Sequence, residues 1–509
     1  MTQFFDTLSG KVKDFNLPPE SEVKMYTCGP TVYDYAHIGN FRAFVFEDLL
    51  RRFLEFSGYK VQHVMNVTDV DDKTIAGANK ESQEGEPKDR LNRFTEKYLQ
   101  AFNEDLKTLN ILPPTKQPRA TQEIQVKRNF IQWLKKLLLI DTRPIDMIEL
   151  IERLIKKGKA YVSEGSVYYR VSSFPDYGNL SKKNLDKNIT GARVDADEYK
   201  QEGADFVLWK KKKEGEPFWN SPWGPGRPGW HIECSAMSMK YLGEQFDIHA
   251  GGEDLIFPHH ENEIAQSEAA TGKPFVKYWL HCKFLLVDGK KMSKKEKNFY
   301  TLRDLLTKGY DPMAIRYALL AVHYQQPLNF TLEGLEEAGE VIKRLDNSYA
   351  EVSLRDLNVQ FDAGAFREEE KTKETLEVLR NDMLEALGED LNVSKAIAIM
   401  LEGVKVVNTA ATAGDLNNPA NHEAAARFFQ ELDKIFGFGI ATEKVPADIF
   451  QKMRERSDVR QQIIKQNDKS LWSVSDKLRD EIQSKGWLVK DGKPGEPSTV
   501  KKKRRAWDQ

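Results

Sequence analysis

Hydrophobic positions near the amino terminus predict a strand, a helix and a second strand in succession. Apolar residues within 23–26 precede a break at Gly29-Pro30. Six apolar positions then recur at helical spacing: Phe41, Phe44, Val45, Leu49, Phe53 and Phe56. Gly58 ends this predicted helix, and a second apolar segment over 61–67 follows at once. This order is typical of a parallel sheet in an α/β fold, whose ligand site lies at the carboxyl ends of the strands.

Breaks rich in proline and glycine divide the rest of the chain. Pro113-Pro114 closes a predicted helix over about 90–109, and the stretch 215–229 contains too much proline and glycine to predict regular structure. Between these breaks, a helical pattern over 147–156 and alternating residues over 161–171 predict an insertion into the α/β fold. After Phe330 the pattern is helical, which predicts an appended bundle.

Composition indicates a multidomain soluble enzyme. A chain of 509 residues exceeds one hydrophobic core, so we expect two to four domains. The formal net charge of −2 excludes a basic coat over the whole surface, so a polyanion must bind at a local patch. The amino terminus does not show the pattern of a leader peptide, and the longest apolar run, 137–140, is too short to span a bilayer. We therefore expect a cytoplasmic protein that does not bind membranes.

The three cysteines, Cys28, Cys234 and Cys282, are too few for a disulfide framework and fit a reducing compartment. Cys282 has no obvious partner in the sequence and is assigned a structural role. For Cys28 and Cys234, two interpretations stay open on sequence alone: metal ligands, or buried small side chains.

Five of the nine histidines fall between positions 231 and 281, which suggests a metal site. Pro258 and Gly272 bound a predicted helix, in which His259 and Glu263 are one turn apart and share a face. Together with the two cysteines this pair would form a ligand set suited to zinc. A solvated helix pair is the competing interpretation of the histidine and the glutamate.

Two segments have the character of phosphate-binding elements. His37, Gly39 and Asn40 stand at the start of the first predicted helix, where free N–H groups and the helix dipole favour a phosphate. Farther along, a strand over 284–287 and a turn precede a basic segment, 290–297, predicted as a mobile loop; Thr301 then caps a new helix. Taken singly, the first segment could be purely structural and the second a solvated surface.

Read together, these motifs resemble the cysteinyl-tRNA synthetase family of class I aminoacyl-tRNA synthetases. His37-Ile-Gly-Asn40 and Lys291-Met-Ser-Lys-Lys295 correspond to the paired signatures written HIGH and KMSKS. Four segments between them match the family in order: 27–33, 229–235, 246–254 and 257–263. The likeness extends weakly into the helical region.

The resemblance implies specific roles for individual residues. Cys28, Cys234, His259 and Glu263 would bind one Zn²⁺ per chain. His37 and Asn40 would contact the phosphates of ATP, which enters with Mg²⁺, and Lys294 would stabilise the departing pyrophosphate. Gly39 and Lys291 belong to the same two nucleotide-binding signatures. The remaining matches line the amino-acid and adenylate pocket of the family: Thr31, Thr68, Trp230 and His249.

The resemblance also implies an architecture and partners. Residues 1–114 and 230–330 would form a Rossmann-like catalytic domain with a parallel sheet, interrupted by an acceptor-end domain over 115–229. An α-helical bundle over 331–444 would bind tRNA, followed by a small basic C-terminal domain in the anticodon region, 445–509, where Trp507 could stack on a base. The implied substrates are L-cysteine, ATP and tRNA(Cys), joined by a monomeric ligase.

Three departures from the family pattern stand out. Asn40 replaces the last histidine of HIGH, but its amide still donates hydrogen bonds, so we expect ATP binding to survive. The residues 295–297 after the KMSK core differ from the usual ones while Lys294 is kept. The segment 125–144 is extra chain with no assigned role.

Three rival functions are compatible with parts of the pattern. A ligase could pass the same cysteinyl adenylate to a small amine, although the long extension after Phe330 favours a macromolecular acceptor. A non-catalytic RNA-binding protein with structural zinc would not need His37, Thr68 and Lys294 together. A zinc hydrolase would need a general base that the four-ligand set does not leave evident.

Overall fold

The computed structural model describes residues 2–18, 20–125, 134, 138, 146–183, 199–293, 295, 298–355, 370–440, 445–466, 468–491 and 499–502. The chain divides into two compact units. The first contains residues 1–286, 290–302 and 324–328, and the second contains residues 287–289, 303–323 and 329–509. The predicted division into four domains stays a prediction.

A parallel sheet of four strands lies at the centre of the first unit, in the order β10, β9, β3, β4. These strands are β3 Glu22–Thr27, β4 Lys60–Met65, β9 Phe246–Gly252 and β10 Val276–Cys282. Helix α1, Ile38–Phe56, connects the parallel pair β3 and β4. Its apolar face is buried, as the helical spacing of its phenylalanines predicts. The predicted strand, helix and strand are thereby confirmed.

The other helices of the first unit surround this sheet or extend from it. They are α2 Asp72–Glu81, α3 Pro87–Thr108, α4 Ala120–Glu123, α5 Met147–Lys156, α6 Trp230–Leu242 and α7 Glu261–Thr271. An amino-terminal hairpin, β1 Gln3–Asp6 with β2 Lys11–Asp14, is antiparallel. Of the extra segment 125–144, nearly all lies outside the described residues.

A second sheet, antiparallel and of four strands, lies within the predicted insertion. Its strands are β5 Ala160–Ser163, β6 Ser166–Tyr169, β7 Phe206–Lys211 and β8 Gly226–Pro228. The prediction of irregular chain throughout 215–229 was therefore wrong at β8. This strand lies at the edge of the sheet, where Pro228 can pair although it lacks an N–H group.

The structure adds detail at two predicted elements. The α-helical part of α7 starts at Glu261, directly after a π-helical turn over Ile256–His260. Within that turn Phe257 is extended (φ −137°, ψ 129°), as the residue before a proline prefers, so helical backbone starts at Pro258, as predicted. The helix ends at Gly272 in the left-handed region, as predicted. In the predicted basic loop, Lys290–Lys291 form a short strand, β12, which follows β11 Leu285–Val287 across a turn.

The second unit is mainly helical, as its periodicity predicts. Its helices are α8 Leu302–Thr307, α9 Pro312–Leu320, α10 Leu332–Arg355, α11 Lys371–Gly388, α12 Val393–Ala413, α13 Pro419–Phe436, α14 Ala447–Gln466 and α15 Trp472–Ser484. The first residue of α8, Leu302, still belongs to the first unit. Its strands are β13 Leu328–Phe330, which begins in the first unit, β14 Trp487–Lys490 and β15 Thr499–Lys502. The end of the basic tail and Trp507 lie outside the described residues.

Among the described residues, α12 is long and apolar enough to cross a membrane by length and composition alone. Core helices of soluble proteins meet the same criterion, and the apolar face of α12, with Ile397, Met400 and Val404, is buried against the bundle. The expectation of no membrane segment stays a prediction.

Gly29 lies at the carboxyl end of β3 and allows the chain to approach β4 closely. Its amide donates to Asn66 Oδ1 at 3.0 Å, and a Cβ at this position would lie 1.7 Å from the carbonyl oxygen of Asn66. Because that oxygen belongs to the backbone, it cannot swing aside. We expect Gly29→Ala to lower the free energy of unfolding by about 3 kcal/mol, through displacement of the two strands.

Thermal unfolding followed by circular dichroism measures this effect. Gly334→Ala is the matched control, since its Cβ would meet only the side-chain oxygen of Thr331, at 3.1 Å. We expect this control to stay within about 1 kcal/mol of the parent protein. A Gly29→Ala protein with the stability of the control would contradict the prediction.

Candidate metal centre and nucleotide site

Four side chains distant in sequence converge at the carboxyl edge of the parallel sheet. Cys28 directly follows β3, Cys234 lies on α6, His259 lies in the turn before α7, and Glu263 lies in the first turn of α7. The two Sγ atoms are 3.7 Å apart, and Cys28 Sγ is 3.7 Å from Glu263 Oε1. His259 Nε2 lies 3.1 Å from the same carboxylate oxygen. All four residues are buried, and their ligand atoms lie within 4.8 Å of one another, close enough to share one metal ion.

A second set at the same place shares Cys28 and Glu263 but uses His249 and His260. His260 was not among the predicted ligands, because the sequence does not show which neighbouring histidine faces the cysteines. His260 Nε2 is 3.4 Å from Cys28 Sγ. The Nδ1 atoms of both histidines are engaged, that of His260 by His281 and that of His259 by His231, so they do not separate the two sets. His259 Nε2 is buried 3.1 Å from Glu263 Oε1, without the geometry of a hydrogen bond. The set with His259 offers two thiols and the other set offers one, so the set with His259 fits a zinc-like ion better.

The ring of His259 is oriented by its neighbours. Its Nδ1 lies 2.8 Å from Nδ1 of His231, and its ring packs on Trp230 with centroids 4.1 Å apart. Hydrogen bonds from the outer nitrogen of a histidine commonly fix metal ligands in this way. His231 was missed among the predicted site residues; the concentration of histidines over 231–281 was the signal that could have indicated it.

The cluster favours a bound cation by its charge. Burial alone raises the pKa of Glu263, but His249 and His259 outweigh burial and lower that pKa to about 2. Burial also raises the pKa of Cys234, but the hydrogen bond with Cys28 and the charge of His259 lower it to about 6. Burial and the neighbouring Cys234 raise the pKa of Cys28. Burial lowers the pKa of His259, but Cys234 and Glu263 outweigh burial and raise that pKa to about 10. Without a metal ion the buried cluster therefore holds a carboxylate and a thiolate balanced by an imidazolium, and a bound cation would take the place of that balancing charge.

The residues predicted to line the amino-acid pocket adjoin this cluster. Thr31 and Thr68 are paired across a short parallel bridge, and Thr68 Oγ1 donates to Glu233 Oε2 at 2.8 Å. His249 Nε2 lies 3.1 Å from Glu263 Oε2. Trp230 packs on His259 and is 39% exposed, so part of its indole is accessible to a ligand. Glu233, which the sequence did not single out, is fully buried, and its Oε1 has no hydrogen-bond partner.

The nucleotide signatures lie at the amino terminus of α1. The His37 side chain accepts from the Asn40 amide and the Asn40 side chain accepts from the His37 amide, each at 3.2 Å, so the two residues form a reciprocal cap. The Asn40 departure from HIGH is therefore compatible with a well-formed helix start. A Cβ on Gly39 would lie 3.0 Å from Met292 Cε, which shows that the two signatures are in contact.

The lysine signature is described only in part. Lys291 is exposed, at the end of β12, whereas Lys294 lies outside the described residues. Its role therefore stays a prediction. Cys282 ends β10, and its Sγ lies 3.9 Å from the Arg42 carbonyl oxygen and away from both ligand sets, consistent with the expected structural role.

Comparison with protein families identifies two regions. Residues 15–138 and 140–340 match the class I (C) tRNA synthetase catalytic domain, and residues 383–441 match the DALR domain. Among solved structures, the methionyl-tRNA synthetase of Mycobacterium tuberculosis in complex with methionyl-adenylate is similar, with a TM-score of 0.56 at 13% sequence identity. That likeness covers 82% of this chain and 92% of the other and supports the fold.

Curated relatives are similar over nearly their whole length. A protein of Caldicellulosiruptor saccharolyticus, named Cysteine--tRNA ligase, is 42% identical over 500 residues, 97% of this chain and 98% of the relative. One of Brachyspira hyodysenteriae with the same name is 44% identical over 512 residues, 99% of both chains. The chain therefore belongs to the class I aminoacyl-tRNA synthetases, within the family of the cysteine--tRNA ligases.

Proposed function

We propose that this protein ligates L-cysteine to tRNA(Cys) at the expense of ATP, through a cysteinyl adenylate. The observation that carries the proposal is the buried set of Cys28, Cys234, His259 and Glu263 at the sheet edge where α1 presents its amino terminus. A metal-binding thiol site beside a phosphate-binding helix start combines the two recognition tasks of cysteine activation. The names of the relatives agree with this assignment.

We assign the metal as zinc, one ion per chain, held by these four side chains. The donor set fits, because two sulfurs, an imidazole nitrogen and a carboxylate oxygen are ligands that zinc prefers, and the buried His259 Nε2 is otherwise without a hydrogen-bond partner. When bound, zinc supplies a Lewis acid that favours a thiolate ligand over a hydroxyl.

Such a site would distinguish cysteine from serine, which differ by one atom. Shape alone would separate them by only about 1 to 3 kcal/mol. A thiol, with a pKa near 8.5, yields a soft anion far more readily than a hydroxyl, so recognition by coordination adds a chemical criterion to the steric one. No editing domain is then required.

Cysteine-dependent exchange of pyrophosphate into ATP tests the proposed function. We expect the zinc-loaded protein to respond to cysteine and to show less than about 1% of that rate with serine, because both the steric and the coordination criteria reject the hydroxyl. Metal content measured on the same preparation should be one zinc per chain. Comparable exchange with serine would reject thiol recognition by the metal.

The residues around the nucleotide would promote adenylate formation by position and charge. The substrate carboxylate attacks the α-phosphorus of ATP and pyrophosphate leaves. His37 and Asn40 at the helix start would hold the phosphates, Gly39 and Lys291 would adjoin them, and Lys294 with Mg²⁺ would balance the charge on pyrophosphate. Thr31, Thr68, Trp230 and His249 would line the pocket for the amino acid and adenylate.

The second unit offers a surface for the tRNA. A groove of about 630 Å³ between α10 and α12 carries the cations Arg344 and Lys405 beside the polar side chains of Asn408 and Thr409. Cations and amides of this kind bind RNA phosphates. A charging assay that offers tRNA and, separately, a small amino sugar distinguishes the proposed ligase from one with a small amine acceptor. We propose that the protein acts as a cytoplasmic monomer.

A further inference from the structure

Asn298 lies three residues after the lysine signature, and its side chain bonds back to the backbone of two residues of that signature, Lys291 and Ser293. The amide of Ser293 donates to Asn298 Oδ1 at 2.9 Å, and Asn298 Nδ2 donates to the carbonyl oxygen of Lys291 at 3.3 Å. One primary amide thus satisfies a donor and an acceptor of the loop backbone at once. In addition, the Lys295 amide donates to Ser293 Oγ at 3.1 Å.

The residues that follow Asn298 are attached to the start of α1. The amide of Ile38 donates to the Tyr300 carbonyl oxygen at 3.0 Å, and His37 pairs with Thr301 in an antiparallel bridge. The ring of Phe299 packs edge-on against His37, with centroids 5.2 Å apart. Asn298 therefore directly precedes a short stretch, 299–301, that is held against His37 and the start of α1.

Together these contacts place the lysine signature, which Asn298 holds by its side chain, beside the start of α1, which residues 299–301 contact. The stretch 299–301 lies on the helix start, Asn298 bonds to Lys291 and Ser293, and Met292 between them contacts Gly39. In the sequence Lys294 directly follows Ser293, so the hydrogen bond from the Ser293 amide fixes the residue that precedes the lysine.

We infer that Asn298 is a positioning residue, which holds the lysine signature on the phosphate-binding end of α1 and acts through Lys294. The inference rests on the proposed function. It also explains how residues 295–297 can depart from the family pattern. The two hydrogen bonds that hold the signature join the side chain of Asn298 to the backbone of Lys291 and Ser293, and they do not use the side chains at 295–297.

A double-mutant cycle on the full-length protein tests this role. We expect Asn298→Ala to lower kcat of cysteine-dependent pyrophosphate exchange by about 10-fold to 100-fold, the scale of a misplaced catalytic group, with the KM for cysteine unchanged. Asn298→Asp keeps the acceptor for Ser293 and loses the donor to Lys291, so its loss should be smaller. In a Lys294→Ala background, Asn298→Ala should lower the rate by less than about twofold more.

Asn329→Ala is the matched control, because Asn329 also accepts from a nearby backbone amide, that of Gly289, at 2.6 Å, but does not join the two signatures. We expect its kcat to remain that of the parent. A parental rate in Asn298→Ala, or an equal loss with and without Lys294, would overturn the inference. If Asn298→Ala does not fold, Asn298→Asp replaces it in the double-mutant cycle. Its loss of rate should then be smaller in the Lys294→Ala background than in the parent, and an equal loss in both would overturn the inference. A parent protein without cysteine-dependent exchange would instead contradict the proposed function.

Discussion

Replacing Cys28 or Cys234 by serine should remove the metal and lower cysteine activation by more than about a hundredfold. Loss of a residue that merely orients a metal ligand already costs about 10-fold to 100-fold, so loss of a ligand should cost more. Either change takes away a sulfur that lies 3.7 Å from the other sulfur in a buried cluster. Zinc content and pyrophosphate exchange, measured on the same preparations, give the result.

Cys282→Ser provides the matched control for these variants. This cysteine is equally buried, but its Sγ contacts backbone carbonyl oxygens of Arg42 and Lys283 and no member of the cluster. We expect it to keep one zinc per chain and the parental rate. Retention of a full zinc in Cys28→Ser would show that another set of ligands, such as His249 and His260 with Glu263, holds the ion.

Removing the charge of Lys294 should lower kcat of adenylate formation by about 100-fold to 1000-fold, and the KM for ATP much less. The reason is that charge accumulates on pyrophosphate in the transition state, where one preorganised donor is worth roughly this factor. Lys294→Ala, measured by single-turnover adenylate formation at saturating ATP, separates the rate from the affinity.

Lys290→Ala is the control for Lys294→Ala, since Lys290 is an exposed lysine of the same basic segment, on β12. It should retain the parental kcat, because water and salt screen the charge of an exposed side chain. An unchanged turnover in Lys294→Ala would remove that lysine from the mechanism and leave the positive end of α1 as the main stabilising group.

The two pairs of variants report on different parts of the site. In the proposed mechanism, Cys28 and Cys234 would recognise the amino acid, whereas Lys294, positioned by Asn298, would act on the nucleotide. A protein that loses zinc should lose selectivity for cysteine, and one that loses Lys294 should keep selectivity and lose rate. The rate of pyrophosphate exchange with cysteine, compared with the rate with serine in each variant, separates selectivity from rate.

Local patterns were sufficient where neighbouring residues determine structure. The apolar spacing from Phe41 to Phe56 predicted α1, the apolar residues within 23–26 before the Gly29-Pro30 break predicted β3, and Gly272 marked the end of α7. In each case the signal is a periodicity or a backbone preference within a few residues. The strand Gly226–Pro228 was missed because its pairing depends on a partner, Phe206–Lys211, some twenty residues away.

The candidate site was predictable to the level of residue types and motif order. Cys28, Cys234, His259 and Glu263 were predicted together from a resemblance, and the structure brings all four within bonding reach of one ion. The sequence could not show that His260 and His249 reach the same carboxylate. Two adjacent histidines look alike in a sequence, and the backbone before α7, with Phe257 extended, determines where each ring points.

By itself, then, the sequence determined the strand, helix and strand unit, the helical second half and the chemistry that four ligands and two signatures make available. Only the tertiary structure decided that His259 Nε2 faces Glu263, that Glu233 is buried beside Thr68, and that Asn298 bonds to the backbone of the lysine signature. The reason is physical: contacts such as that between Thr68 and Glu233, far apart in the sequence, depend on strand order and packing, which no local preference encodes.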